Sequence, residues 1–410
     1  MSGLHLFEGY GIELEYMIVD RATLSVMPAA DRVLEAEAGE IVSEVEVGLL
    51  RWSNELVLHV IELKTNGPAP SLRGLAAAFL EGARRIDRIL EPLGGRLMPS
   101  GMHPWMDPLR ETRIWPHEQS PIYAAYDRIF GCQGHGWSNL QSLHINLPFS
   151  GDEEFGRLHA AIRLLLPILP AIAASSPVAG GRLTGFLDTR LEVYRRNQEK
   201  IPSLTGQVIP EPVFTREGYE AEILQRLYRD VAPCDPEGVL REEWLNSRGA
   251  IARFERDTIE IRVIDVQETP AADLAIASLV AAVLRALVTE RWSGLAEQMA
   301  WPVEPLAAIF LDTVRRGEEA VIADEAYLRC LGFPGSKATA GELWACLGRE
   351  TLARGSADPE VEEALAVILD RGPLARRILR ALGGSADRGR LESVYRELCG
   401  CLVEGRPYLG

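Results

Sequence analysis

Gly11-Ile12-Glu13-Leu14-Glu15-Tyr16 is the stretch whose pattern decides how this chain folds. Apolar and polar residues alternate with period two, as in a half-buried strand. Ile12, Leu14, Tyr16 and Ile18 fall on one side, Glu13 and Glu15 on the other. Glutamate is disfavoured in strands, and two carboxylates at i and i+2 repel each other. A bound cation would remove that repulsion, and hard divalent cations select oxygen ligands. The plainer alternative is a solvated strand face, which accounts for most Glu-x-Glu pairs.

Three more acidic or polar segments extend the theme. Leu143-His144-Ile145-Asn146 puts His144 and Asn146 on one face, with Ser138-Asn139 upstream. A histidine alone in a sheet is more often satisfied there than a ligand, but this polar face is hard to explain as core. Thr258-Ile259-Glu260-Ile261-Arg262-Val263 sets a carboxylate beside a guanidinium. Carboxylates hold Mg²⁺, and arginine grips a phosphoryl group with two donors and stabilises charge during its transfer. The alternative is a salt bridge inside the hairpin, with Arg253 and Glu255 as partners. The fourth segment, ELVLHVIELKT, carries Glu55 and Glu62. Seven apart on one uninterrupted strand, they would face opposite ways. A bulge, or placing Glu55 in the turn after Trp52-Ser53-Asn54, would let both point inward.

The chain has 410 residues, 47% hydrophobic and 25% charged, ordinary for a globular protein with one large domain or two. Its formal net charge of -16 argues against a nucleic-acid or anionic-membrane surface, though not against a nucleotide held through metal ions and local arginines. No transmembrane helix is expected, and MSGLHLFEGYG lacks the basic and apolar regions of a signal peptide. Cys132, Cys234, Cys330, Cys346, Cys399 and Cys401 show no zinc spacing, which suits a reducing cytoplasm. A redox role for Cys399-Gly-Cys401 competes with two small residues at a helix end, the favoured reading.

Strands are expected near 10–19, 41–47, 56–64, 95–101 and 139–148, with a hairpin over 250–265 hinged at Glu255-Arg256-Asp257. Helices are expected over 71–93 and 153–174, the second kinked at Pro167 and Pro170. Residues 175–215 have loop chemistry, and from Ala271 onward the chain is nearly all helical. This order predicts an α+β fold, an antiparallel or mixed sheet with helices on one side, rather than a doubly wound one. No GxxxxGK[ST], no GxGxxG after a strand and no HExxH is present.

At this point GIELEYMIVD, ELVLHVIELKTN, SLHINLPF, SSPVAGGRLTGFLDTR and RFERDTIEIRVIDVQETPAADLAI resemble the glutamate–cysteine ligases of the plant and proteobacterial type, with their related carboxylate-amine ligases. The resemblance covers about residues 8–300. It implies a glutamine synthetase-like core: a curved, mainly antiparallel sheet with helices on its outer side. Residues 1–300 would form that catalytic domain and 301–410 a helical extension without catalytic side chains. It implies metal ligands at Glu13, Glu15, Glu55, Glu62, His144 and Glu260, holding Mg²⁺ or Mn²⁺. It implies nucleotide contacts from Arg253, Arg262 and Asn146, with Arg262 and Glu260 catalytic. Arg182 and Arg190, in the Ser-Pro…Gly-Gly-Arg loop, would be substrate contacts or simply loop arginines in water.

The implied chemistry is phosphorylation of the glutamate side chain by ATP, then displacement of phosphate by an amine such as cysteine. No covalent enzyme nucleophile is needed, and no Ser/His/Asp or Cys/His arrangement is legible. Three alternatives stay open: ligation to another amine, phosphoryl transfer to a guanidine, and a non-catalytic nucleotide or metal sensor. The acceptor and any homo-oligomeric state are not legible.

Overall fold

Gly11–Asp20 forms the central strand, β1, because its even positions bury wholly: Ile12, Leu14, Tyr16 and Ile18 are all inaccessible to solvent. In the computed structural model, which describes residues 3–353, 355 and 357–410, it lies in an eight-stranded sheet. The other strands are β2 (Glu44–Val47), β3 (Leu50–Asn54), β4 (Val60–Thr65), β5 (Gly95–Met98), β6 (Ser142–Pro148), β7 (Ala250–Arg253) and β8 (Thr258–Asp265). Their order is β2-β3-β4-β1-β6-β8-β7, with β5 pairing the far end of β1, and every described pairing in this sheet is antiparallel.

Directly opposed residues share a face in an antiparallel sheet, so the register alone assembles a polar surface. Glu13 pairs with His144 and Lys64, Glu15 with Glu62, Glu62 with Ser53, and Glu260 with Asn146. The opposite face packs on helices Leu75–Leu90, Gly151–Leu165 and Pro270–Val288.

Several sequence expectations change. The stretch 56–64 is not one strand: Val57 makes an isolated bridge to Ile114, a turn occupies 58–59, Glu55 sits just past β3, and the strand itself is Val60–Thr65. The strand β3 itself was not anticipated, because Arg51-Trp52-Ser53-Asn54 lacks clean alternation. Pro270–Val288 is long and apolar enough to cross a membrane, against expectation, yet 83% of its most apolar window is buried inside the protein. It sits at the centre of the helical layer, against helices Leu75–Leu90, Ala340–Thr351 and Pro359–Arg371. The kink in the second long helix is where the prolines placed it: Gly151–Leu165 passes through a tight turn at Leu166–Ile168 into Pro170–Ala173.

Helices are not confined to one side. Leu374–Leu382 and Arg388–Glu404 cover Met17, Val19 and Met98, the apolar end of the same face that bears Glu13 and Glu15. Buried Arg377 donates to both Glu268 oxygens and to the Tyr408 carbonyl, locking these helices to the segment after β8. Cys399 and Cys401 are buried in this packing.

Candidate active site

A cavity of about 390 Å³ opens over the polar end of the sheet face. Glu13, Glu15, Glu55, Glu62, His144, Glu260, Arg262, Arg253 and Arg190 all line it. One oxygen of Glu13 meets His144 Nδ1 at 2.9 Å, and the other accepts from Asn146 Nδ2 at 3.0 Å. Glu15 accepts from the Ser142 amide at 2.7 Å and hydroxyl at 2.9 Å. That hydroxyl lies 2.9 Å from His144 Nε2. Glu62 accepts from Ser53 Oγ at 2.6 Å and faces Lys64 Nζ at 3.0 Å.

Two triads of donor atoms emerge, Glu13/Glu62/His144 and Glu15/Glu55/Glu62, each with its atoms within 4.8 Å of one another. Glu62 is common to both. Glu260 stands beside them, its Oε1 3.9 Å from His144 Nδ1, but it is held by arginines. Arg262 donates to Oε1 through Nη2 at 2.5 Å and Nε at 3.0 Å, and Arg253 Nη1 reaches Oε2 at 3.3 Å. The salt bridge weighed as the alternative for Glu260 therefore exists, alongside its position in the cavity wall.

The electrostatics divide these carboxylates. Burial raises Glu55 well above the usual range, reinforced by the charges of Glu15 and Glu62. Burial also takes Glu62 up to about 7, although Lys64 pulls the other way. Burial would raise Glu260 too, but Arg262, His144 and Arg253 bring it down to about 2. Burial opposes the charged form of His144, yet the Glu13 hydrogen bond and the surrounding carboxylates lift it to about 9. These shifts follow from several carboxylates buried side by side, a crowding that a bound cation would relieve. Four carboxylates and one imidazole make a hard donor set that suits Mg²⁺ or Mn²⁺.

Arg190 and Arg182 separate. Arg190 is buried, with Nε 2.5 Å from Asp265 Oδ1 and Nη2 3.2 Å from the Arg262 carbonyl. Its Nη1 has no hydrogen-bond partner among the described residues and is not among the buried unpaired atoms, so this end is open to the cavity it lines. Arg182 is exposed in a short hairpin, Val178–Ala179 with Arg182–Leu183, and does not line the cavity. The loop carries one arginine into the site and leaves the other in water.

Ser142 and Lys64 escaped the sequence reading, although each lies two residues from a named candidate on its own strand. An aromatic wall escaped it too: Tyr123, Tyr126, Trp137 and Trp244 line the cavity, with Tyr126 5.0 Å from Trp137 and 5.9 Å from Trp244 between ring centroids. Their local sequences show only helix and loop patterns.

Comparison with known proteins agrees with this picture. An uncharacterised protein of Archaeoglobus fulgidus is 33% identical over 402 residues, 97% of this chain and 100% of the relative. A protein of Halobacterium salinarum named glutamate–cysteine ligase is 24% identical over 68% of this chain and 69% of its own length. The crystal structure of the Francisella tularensis glutamate–cysteine ligase in complex with AMP superposes with a TM-score of 0.56 at 11% identity, covering 98% of this chain and 90% of that one. That likeness is one of fold, the glutamine synthetase-like class. The family match reaches residue 397, beyond the limit near 300 read from the motifs, so the C-terminal helices belong to it as well. With its family model matching residues 10–397, the chain belongs to glutamate-cysteine ligase family 2 and is of the carboxylate-amine ligase kind.

Proposed function

We propose that this protein is an ATP- and Mg²⁺-dependent, ADP-forming ligase that joins the side-chain carboxylate of glutamate to an amine, with cysteine the first acceptor to test. The observation that carries this reading is the convergence of two oxygen-rich triads on shared Glu62, with Arg262 and the open end of Arg190 in the same cavity.

Glu13, Glu62 and His144 would hold one divalent ion, and Glu15, Glu55 and Glu62 another. Bound there, such ions offset the negative charge of a triphosphate and polarise its phosphoryl oxygens. In the first half-reaction a carboxylate oxygen of the acid attacks the γ-phosphorus, and the bond to the ADP oxygen breaks with its electron pair leaving on ADP. In the second, the amine nitrogen attacks the acyl carbon, phosphate departs, and the nitrogen loses a proton.

The chain's own groups position and neutralise. Arg262 presents N–H donors to the phosphoryl group while Glu260 orients its guanidinium. Arg190, fixed by Asp265, offers Nη1 to a substrate carboxylate. The surrounding rings restrict water near the acyl phosphate. A cytoplasmic location is part of the same reading, on the ground of six cysteines without zinc spacing, and the net charge of -16 speaks against nucleic acid or an anionic membrane as partner.

A second reading keeps the chemistry and changes the amine. The wall of Tyr123, Tyr126, Trp137 and Trp244 offers apolar and π surface suited to a bulkier or cationic acceptor than cysteine. The test is ADP release with glutamate and a panel of amines at saturating Mg²⁺. ADP and phosphate in a glutamate-dependent reaction are expected. AMP and pyrophosphate as products would exclude the acyl-phosphate route, and no turnover across acids and amines would favour a binding-only homologue.

A further inference from the structure

Lys64 stands inside the acidic cluster without a part in the chemistry above. It follows Glu62 by two residues on β4, so both project from the same face, and it lies directly opposite Glu13 on β1. Its ammonium lies 3.0 Å from Glu62 Oε2 and 3.0 Å from Glu44 Oε2. Ser53 Oγ donates to the same Glu62 oxygen at 2.6 Å. Oε1 of Glu62 has no hydrogen-bond partner among the described residues. The residue shared by both triads therefore has one oxygen taken by two donors and one open to the cavity.

The common way for a carboxylate to bridge two cations is to give one oxygen to each. With Oε2 occupied by an ammonium and a hydroxyl, Glu62 has only Oε1 free for an ion and cannot bridge in this way. A second divalent ion would also sit close to a fixed positive charge in a partly desolvated cleft, where repulsion is little screened. We propose that Lys64 is a tethered cation that limits the cluster to one tightly held divalent ion until a triphosphate arrives. The inference rests on the metal-binding reading above and adds to it the number of ions and the residue that sets it.

Glu44 gives the lysine somewhere to go. Its carboxylate is near the edge of the sheet, held also by Arg51 Nη1 at 2.8 Å. When an ion enters with its triphosphate and claims Glu62 Oε2, the ammonium keeps its contact with Glu44 and moves off the cluster. One lysine thus both neutralises the nucleotide-free site and yields when charge of the opposite sign accompanies the incoming ion.

The experiment is a Mn²⁺ binding isotherm on the full chain without nucleotide, by calorimetry and by paramagnetic counting of free ion. The wild type should hold one Mn²⁺ per chain. Lys64→Met should hold two, or bind the first about 10-fold more tightly. Glu44→Gln should act in the opposite sense, weakening Mn²⁺ about 3-fold or more, because Lys64 then has only Glu62. Lys64→Arg should stay near wild type. A purely structural lysine would not give opposite shifts from its own removal and that of its second anchor. Two tight ions in the wild type, or unchanged stoichiometry and Kd within twofold in folded Lys64→Met, would overturn the inference. If Lys64→Met does not fold, Glu44→Gln alone decides, and no weakening there overturns it. Failure of both wild type and Lys64→Met to bind Mn²⁺ at millimolar concentration would instead defeat the metal-binding reading itself, and this inference with it.

Discussion

The two ends of one face of β1 have opposite fates. Glu13 and Glu15 look into an open cavity, while Met17 and Val19, two and four residues further along the same face, lie sealed beneath helices Leu374–Leu382 and Arg388–Glu404. Strand geometry treats all four positions alike. What separates them is chain that arrives more than 350 residues later: an apolar end needs a cover to exclude water, and the polar end is left for a charged ligand. A carboxylate face becomes a site here because the remainder of that face is filled.

The comparison can be broken most forcefully at its polar end. Glu15→Gln keeps an oxygen acceptor for Ser142 but loses the charge, and turnover should fall about 10³-fold while Tm stays within a few degrees. A strongly lowered Tm with modest kinetic loss would make Glu15 structural. At the apolar end, Leu398→Ala removes a fully buried side chain from the helical cover. It should cost about 2–5 kcal/mol of stability, read by denaturant unfolding, and leave kcat/KM near normal in the folded fraction. Equal damage to Mn²⁺ binding would show that cover and site form one cooperative unit.

Arg262→Lys comes next. Lysine keeps the charge and loses the planar fork, so kcat should fall about 10²-fold with little change in nucleotide binding or Tm. Near-normal kcat would reduce Arg262 to the partner of Glu260 that its hydrogen bonds also describe.

A smaller effect is expected with pH in the metal-free protein. Glu62, raised to about 7, and Glu55, raised well above 4.5, contribute stability that is fully present below pH about 4.5 and lost as pH rises through their folded values. His144, raised to about 9, adds stability present below about 6.5 and lost on the way to 9. Tm should therefore decline from pH 5 to 8. The rise in Tm produced by Mg²⁺ should grow over the same interval, since the ion competes with protons for these ligands. A Mg²⁺ effect independent of pH would place the ion elsewhere. The smallest effect belongs to Arg182→Ala, whose side chain is in water: turnover should stay within about twofold, and a larger loss would mean the hairpin closes over the substrate.

Much of this was legible in the chain. Period-two alternation exposed β1, β6 and β8, and Gly-x-Glu-x-Glu, Leu-His-x-Asn and Ile-Glu-x-Arg pointed to the residues that meet over the sheet. The pattern failed where burial does not alternate. Leu50–Asn54, with Trp52, Ser53 and Asn54 all buried in succession, gave no period, so β3 was missed. The opposed parity of Glu55 and Glu62 resolved once that strand was seen: Glu55 follows directly after one arm of a hairpin and Glu62 lies on the other. Arg182 and Arg190 were indistinguishable in a Gly- and Pro-rich loop, because only the buried Asp265 carboxylate, far along the chain, decides which one turns inward.

By itself, the sequence determined the alternating strands β1, β6 and β8, the mainly helical tail and the polar type of the candidate ligands. These depend on local periodicity and on side-chain chemistry, both written residue by residue. Tertiary structure alone decided that Glu62 is shared between two triads, that Arg190 rather than Arg182 enters the cavity, and that helices from the far end of the chain cover Met17 and Val19. Those facts depend on the register and packing between segments distant in sequence and on distances of a few ångströms, where charge interactions change steeply. No local pattern encodes which carboxylate a neighbouring strand will bring within reach.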